Sequence, residues 1–487
     1  MRHEASPNKI ILCTSAAIAI GIAIMLGFWI SQSHSSVSHA HSAHESHLPQ
    51  LWGIGIIPFI GLLGAIAVLP LLKSTHDWWE SNLNRFFIAM LCAAATIIYL
   101  ACTSGIDAVG ASLDHAIMED YIPFIILLFS LYVISGGIHL SGDLEAKPMT
   151  NTLILGIGAL LASFIGTTGA SMLLIRPILK TNSQRKHVIH TIVMFIFLVS
   201  NIGGTLLPIG DPPLFLGYLR GVDFFWTLNL WPMWALTCSI LLVFYFIWDS
   251  ILWRKETELS HLKDHLQEDS PMQISGLINF LYIGGIVAAA ALIDSNKPLL
   301  NTSWMPFPYL REIIMLGFVA LSIISTKESI RKANKFTYAA IIEVAALFSG
   351  IFIAMQVPLT ILRMSGESIT ASINQPWQFF WATGSLSSFL DNAPTYVVFF
   401  KLAQSFPNGE LMQVNDGSVP IALLVAISLG SVFMGAMTYI GNGPNFLVKA
   451  IAEQEGIKMP SFFGYMVKYS IPILVPIFAI ITLLFLL

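Results

Sequence analysis

The residues of this chain best equipped for chemistry are acids set among apolar neighbours. Asp211 stands in Gly210-Asp211-Pro212-Pro213, and Asp391 in Leu390-Asp391-Asn392-Ala393-Pro394-Thr395. Ser200, Asn201, Thr205, Thr168, Ser387, Ser388, Thr438 and Asn442 lie in segments of the same kind, apolar runs broken by Gly and Pro. Carboxylate, amide, hydroxyl and freed backbone carbonyl form a hard-oxygen set that suits Na⁺, Li⁺ or another hard cation, and no thiol or imidazole cluster joins it. A carboxylate at membrane depth is costly unless it is paired, protonated or bound to a cation, so both aspartates are expected to be functional. The competing reading is that each caps a half-helix, and one residue can do both.

Other polar residues within apolar runs invite weaker readings. Glu343, in Ile341-Ile342-Glu343-Val344-Ala345-Ala346-Leu347, has no base within a turn and reads either as a proton carrier or as a hydrogen-bonded packing residue. Arg176 follows Met172-Leu173-Leu174-Ile175 and could neutralise an anionic substrate or a carboxylate, or snorkel to the interface. Asp249 and Asp294 lie near span ends and are expected to be solvated there, and His139 and His190 read as satisfied structural histidines. His34, His39, His41, His44 and His47 crowd one polar stretch without a ligand spacing, so no metal site is expected there. Cys13, Cys92, Cys102 and Cys238 form no C-x-x-C pair and read as small buried apolar residues. No G-x-x-x-x-G-K-[ST] motif and no nucleophile–base set is present, so neither an ATP-driven motor nor a hydrolytic enzyme is expected, and no cofactor is called for.

These residues need a membrane to make sense. Of 487 residues, 55% are apolar and only 11% charged, against about 25% charged in soluble globular domains. Mean hydropathy is +0.74, and the formal charge of −4 offers nothing to nucleic acid. Composition therefore predicts an all-α polytopic membrane protein. Apolar runs fall at 10–30, 51–72, 86–104, 121–140, 152–180, 187–217, 225–252, 274–294, 311–326, 338–362, 377–403, 420–450 and 466–487. The first is a signal peptide or signal anchor, with residues 31–50 outside the cytoplasm. Runs 152–180 and 377–403 carry turn-forming centres and are expected to be re-entrant hairpins; 187–217 and 420–450 are expected to be broken helices, which membrane depth tolerates only inside protein or beside water. With a cytoplasmic N-terminus, 18 of the 24 Lys and Arg fall on the cytoplasmic side, as the positive-inside rule requires. Segment 105–120, with four acids and no Lys or Arg, is expected to be an external loop.

The chain also repeats itself. Gly204-Thr205-Leu206-Leu207-Pro208-Ile209-Gly210-Asp211-Pro212-Pro213-Leu214-Phe215-Leu216 aligns with Gly435-Ala436-Met437-Thr438-Tyr439-Ile440-Gly441-Asn442-Gly443-Pro444-Asn445-Phe446-Leu447, which places Asn442 opposite Asp211. Three spans, a hairpin, a broken span and a span occur twice, in units 51–252 and 274–487 joined by a polar linker, 253–273. Five crossings per unit is odd, so the second unit is expected to lie inverted, with the site between paired broken helices.

Ser200-Asn201-Ile202-Gly203-Gly204-Thr205, Pro208-Ile209-Gly210-Asp211-Pro212-Pro213 and Ser388-Phe389-Leu390-Asp391-Asn392-Ala393-Pro394-Thr395 resemble the signatures of NhaD-type sodium/proton antiporters. Those belong to an ion transporter superfamily that also holds arsenite and citrate/dicarboxylate carriers, and the resemblance runs from about residue 51 to the end. It implies an inverted-repeat fold of ten core spans and two hairpins. It also implies exchange of cytoplasmic Na⁺ or Li⁺ for external H⁺ at the plasma membrane, with Asp211, Asp391, Asn392, Asn201 and Thr205 as the cation and proton site. Homodimers are common in that superfamily, though no seam is legible here. A dicarboxylate carrier of the superfamily would show Ser-Asn-Thr triplets at both hairpin tips; neither tip has one, and Asp391 would repel a carboxylate. The alternatives are a Na⁺- or H⁺-coupled carrier of a dicarboxylate or oxyanion, using Arg176, and a non-transporting sensor built on the histidine-rich segment.

Overall fold

A computed structural model describes residues 52–487, apart from 73, 80, 143–144, 257–272, 296–297, 300–301, 371–372 and 407–408. The leader, its histidine-rich tail, Cys13 and most of the polar linker therefore lie outside the described residues. The rest is almost entirely helical. In chain order the main helices are α1 (Trp52–Val68), α2 (Asn82–Ser104), α3 (Ile106–Asp114), α4 (Ile122–Ser135), α5 (Pro148–Ile165), α6 (Thr167–Thr181), α7 (Ile189–Leu198), α8 (Pro212–Leu219), α9 (Trp231–Trp253), α10 (Ile278–Leu292), α11 (Leu310–Ser325), α12 (Ala339–Ala354), α13 (Gln356–Thr370), α14 (Pro376–Phe389), α15 (Asn392–Ala403), α16 (Ile421–Met434), α17 (Gly443–Gln454) and α18 (Ile471–Phe485). Strand structure is confined to two small antiparallel ribbons: 139–141 with 273–275, and 411–414 with 417–420.

Among the described residues six stretches are long and apolar enough to cross a membrane: Asn82–Ser104, Ile106–Ser135, Pro148–Ile165, Trp226–Trp253, Ala339–Leu362 and Phe462–Phe485. Shorter apolar helices accompany them, among them Gly53–Val68 and Ile278–Leu292. The chain is an all-α polytopic membrane protein. Segment 105–120 corrects the sequence reading: it is α3 and a π-helical stretch, His115–Tyr121, continuous with α4. Its acids misled because two of them are tied down within the fold, Glu119 to His115 at 2.7 Å and Asp120 to Arg220 at 2.9 Å.

Both hairpins form. Gly166, at φ +78°, turns the chain between α5 and α6, a conformation open to glycine without steric cost. Leu390 and Asp391, in extended conformations, turn it between α14 and α15. The broken helices form as well. α7 gives way to 3₁₀ turns at Ile202–Thr205 and Pro208–Gly210 before α8 begins, and α16 gives way to Gly435–Met437 before α17. α5 packs on the first break and α14 lies along α16.

The hairpins open at opposite ends of the molecule. At one end, Asn151 at the base of hairpin one bonds Asn182 at 2.8 Å and Asp249 at 3.3 Å, and Arg176 reaches Glu455 at 3.4 Å. Arg331 donates to Val133 O at 2.7 Å at this same end, where Lys335 also meets Glu455 at 3.2 Å. At the other end, Lys401 and Gln404, at the base of hairpin two, line a cavity of about 240 Å³ with Arg220, Asp120 and Asp416. The two tips meet between these ends.

Candidate functional site

The meeting point is Asp211. Its backbone (φ −144°, ψ 141°) caps α8, but its side chain makes no cap bond. The reason is local. A capping carboxylate accepts from the second or third amide of the helix; here Pro213 has no N–H, and the Leu214 N–H goes to the Asp211 carbonyl at 3.1 Å. The carboxylate turns inward instead. Thr167, first residue of α6, donates to Oδ1 at 3.0 Å; Asn392, first residue of α15, donates to Oδ2 at 2.7 Å; Asn442 donates to Oδ1 at 3.0 Å. Asp211 is 1% exposed, and among the described residues no Lys or Arg acts on it. Three neutral donors thus hold a buried carboxylate that no protein cation balances.

Asn442 has the backbone of Asp211, φ −153° and ψ 140°, and likewise precedes a helix with proline in its first turn. The repeat seen in sequence is therefore a repeat of geometry, with acid on one side and amide on the other, bonded to each other. The two breaks also fold alike. A Cβ on Gly204 would sit 2.8 Å from the Gly210 carbonyl, and one on Gly435 would sit 3.3 Å from that of Gly441. Each break and each tip sets the C-terminus of one helix against the N-terminus of the next, so carbonyls and amide ends both converge on the centre.

Asp391 differs from Asp211. Its side chain accepts from Ala393 N at 3.1 Å, so it caps α15. Capping thus holds for Asp391 and not for Asp211.

Two further oxygens complete the set. Asn392 gives its amide N–H to Asp211, which turns its own Oδ1 away, and that oxygen is buried with no partner. Asn201 gives its amide to Ile196 O at 2.8 Å and Asn445 Oδ1 at 2.6 Å, leaving its Oδ1 buried without a partner too. An unpartnered buried acceptor costs about 1–3 kcal/mol. Both oxygens belong to residues gathered at this centre, Asn392 bonding Asp211 directly and Asn201 meeting the Gly435 turn beside the Asn392 amide.

Residues 46–486 match the family described as "Putative citrate transport". The chain belongs to this citrate-transport family. It is a membrane transporter of the citrate/arsenite-permease type. No curated protein matches the chain.

Within this permease, the remaining residues singled out in the sequence fall into three groups. Some support the site through backbone. Ser200 shares a hydrogen bond with Ser171 at 2.8 Å, and its carbonyl accepts from Asn442 at 3.2 Å. Thr205 donates to Ile202 O at 2.6 Å, Ser387 to Ser431 O at 2.7 Å, and Thr395 to Asp391 O at 3.0 Å. Thr438 bonds the Ser388 carbonyl and accepts from Gly441 N.

A second group sits away from Asp211. Arg176 lies nine residues beyond Thr167, about 13 Å along α6 at helical rise, and is engaged by Glu455. Glu343 meets Arg85 of α2 at 2.9 Å, a base from another helix that the local sequence could not reveal.

The third group corrects the sequence reading. The hydroxyl on Asp211 is that of Thr167, not Thr168. Asp249 is not solvated: it is fully buried, with Arg185 at 2.7 Å and His190 at 2.7 Å. Cys102 is exposed on α2 rather than buried. Among the described residues no three or more His, Cys, Asp and Glu side chains cluster as metal ligands. Asn445 and Thr167 were missed; their only sequence signal was position, one inside the repeat match and one at a hairpin turn.

Proposed function

We propose that this permease exchanges Na⁺ or Li⁺ for H⁺ across the plasma membrane, the two cations competing for the carboxylate of Asp211. The observation that carries this reading is the buried, baseless carboxylate ringed by Thr167, Asn392 and Asn442, with the unpartnered amide oxygens of Asn201 and Asn392 beside it. Burial makes a lone charge costly, so proton or metal cation must neutralise it, and loading one expels the other. Asp391 adds a second carboxylate at the tip of hairpin two. The likeness of the Gly210-Asp211-Pro212-Pro213 and Leu390-Asp391-Asn392-Ala393-Pro394-Thr395 segments to NhaD-type antiporters supports the same reading. The end that carries Arg85, Arg185, Arg331 and Lys335 is assigned to the cytoplasm on the charge asymmetry, so hairpin one opens inward and hairpin two outward.

The decisive test is dye dequenching in everted membrane vesicles from cells lacking their own antiporters. Added NaCl or LiCl should dissipate the respiratory pH gradient, and KCl should not match them. A silent dye from pH 6 to 9, with the protein present in the membrane, would end the exchange reading.

The second reading is a cation-coupled carrier of a citrate-like anion. The family description favours it, and so do the four helix N-termini that gather at the centre. Against it stand the acids at the centre and the engagement of Arg176 by Glu455. Saturable, Na⁺-dependent uptake of labelled citrate would decide for it.

A further inference from the structure

We propose that Asn445 is a positioning residue that sets which face Asn201 shows to the transported cation. This rests on the exchange reading of the same site and adds a residue whose side chain does not touch Asp211.

An asparagine amide can present either an oxygen or an N–H₂ to a neighbour, and a cation accepts only the oxygen. In this site every amide is pinned. Asn445, in the first turn of α17, donates to Gly435 O at 2.8 Å and to Thr438 O at 2.9 Å. Both are backbone carbonyls, which only accept, so its nitrogen must face them and its oxygen must face the other way. That oxygen receives the amide of Asn201 at 2.6 Å, across a sequence separation of 244. The Ile196 carbonyl takes the other Asn201 proton at 2.8 Å. With both protons committed, Asn201 turns its oxygen toward the Gly435 turn, where a Cβ on Gly435 would lie 3.0 Å from it and 3.7 Å from the Asn392 amide. Asn201 and Asn445 are both fully buried, and the Asn201 oxygen has no protein partner.

The polarity of the ligand is therefore written one residue away. Remove the Asn445 oxygen, and Asn201 keeps one fixed proton partner instead of two; turning its N–H₂ toward the cation then costs only the bond to the Ile196 carbonyl. The loss should appear in cation affinity rather than in the turnover of a loaded site. It should depend entirely on Asn201.

The test is a double-mutant cycle on the full-length purified chain, reading radiolabelled Na⁺ binding at fixed pH, with vesicle exchange as the second readout. Asn445→Ala should raise half-saturating Na⁺ by about tenfold and leave the maximal exchange rate within twofold. Asn201→Ala should raise half-saturating Na⁺ by at least as much. The double variant should be no weaker than the weaker single, since contacting residues that act as a unit do not add. If Asn445→Ala does not insert, Asn445→Ser takes its place, because serine is too short to reach Asn201. Losses that multiply in the double variant, or a fall in maximal rate at unchanged half-saturation, would overturn the role of Asn445 and leave exchange standing. An unaltered chain that binds no Na⁺ would overturn both.

Discussion

Asn392 donates to Asp211 at 2.7 Å although the two stand 181 positions apart in the chain. One is the first residue after the tip of the second hairpin, the other sits in the break of the first broken helix. Asn442 reaches the same carboxylate from the second break at 3.0 Å. The centre of this permease is thus assembled across its two halves, and the charge belongs to one half only.

Replacing Asp211 by Asn should reduce Na⁺-dependent proton movement in everted vesicles to the level of empty membranes, with protein abundance unchanged. The paired backbone of Asp211 and Asn442 gives this loss a partial remedy. The double exchange Asp211→Asn with Asn442→Asp restores one carboxylate bonded to one amide, in mirror order. It should recover measurable Na⁺ dependence where neither single variant matches the unaltered chain. Wild-type rates in Asp211→Asn would place the exchanged proton on another group.

Asp391 can be dissected because Asn caps a helix about as well as Asp. Asp391→Asn should keep the thermal stability of the purified protein and lose exchange. Asp391→Ala should lose both, with about 1 kcal/mol of destabilisation from the missing cap. Full exchange in Asp391→Asn would reduce this residue to its bond with Ala393 N.

Competition for one carboxylate fixes the sign of the pH effect. Lower pH fills the site with protons, so half-saturating Na⁺ must rise as pH falls, by about tenfold per unit while the carboxyl is mostly protonated, and must level off at higher pH. The measurement is a Na⁺ titration of exchange at several pH values. Half-saturation independent of pH over this range would show that the two ions do not share a site.

The base of hairpin one rests on Asp249, which is fully buried beside Arg185 and His190. Asp249→Asn removes the nearer of the two acids that face the buried Arg185 guanidinium, leaving Glu256 at 3.9 Å, and breaking such a buried pair costs about 3–5 kcal/mol. The variant should melt well below the unaltered protein in detergent. Arg185→Met with Asp249→Leu and Glu256→Gln should lose less, since it removes all three charges together. Equal melting of all three would mean that the pair is not desolvated.

Glycine spacing in the break should be equally unforgiving. A Cβ on Gly204 would stand 2.7 Å from the Thr167 methyl and 2.8 Å from the Gly210 carbonyl. Gly204→Ala should therefore displace the hairpin tip and abolish exchange, while Gly61→Ala, where a Cβ meets nothing within 4 Å, should leave it intact. Vesicle exchange normalised to protein in the membrane separates the two.

Much of this centre was legible in the sequence because turn chemistry is local. Gly, Pro, Asp and Asn within apolar runs announced the hairpins and the breaks, and the thirteen-residue match placed Asn442 opposite Asp211. What escaped is long-range. Which of two adjacent threonines faces a carboxylate depends on how α6 is rotated, and Thr167 prevailed over Thr168. The partners of Asp249 and Glu343, Arg185 and Arg85, come from other helices at distant positions in the chain. Asp120 looked like a loop acid until the fold brought Arg220 to it, whereas the His115–Glu119 pair needed only the helix, being one turn apart.

A carboxylate has about four lone-pair positions, and Thr167, Asn392 and Asn442 fill three of those on Asp211. Thr167 is the tip of a hairpin rooted at one end of the molecule, and Asn392 the tip of one rooted at the other. A bare cation that takes more than one oxygen position there must evict a donor. The partner it evicts decides which hairpin loosens: releasing Thr167 frees the one rooted beside Asp249, and releasing Asn392 frees the one rooted beside Arg220. The latch between two compartments and the passenger therefore compete for the same few lone pairs.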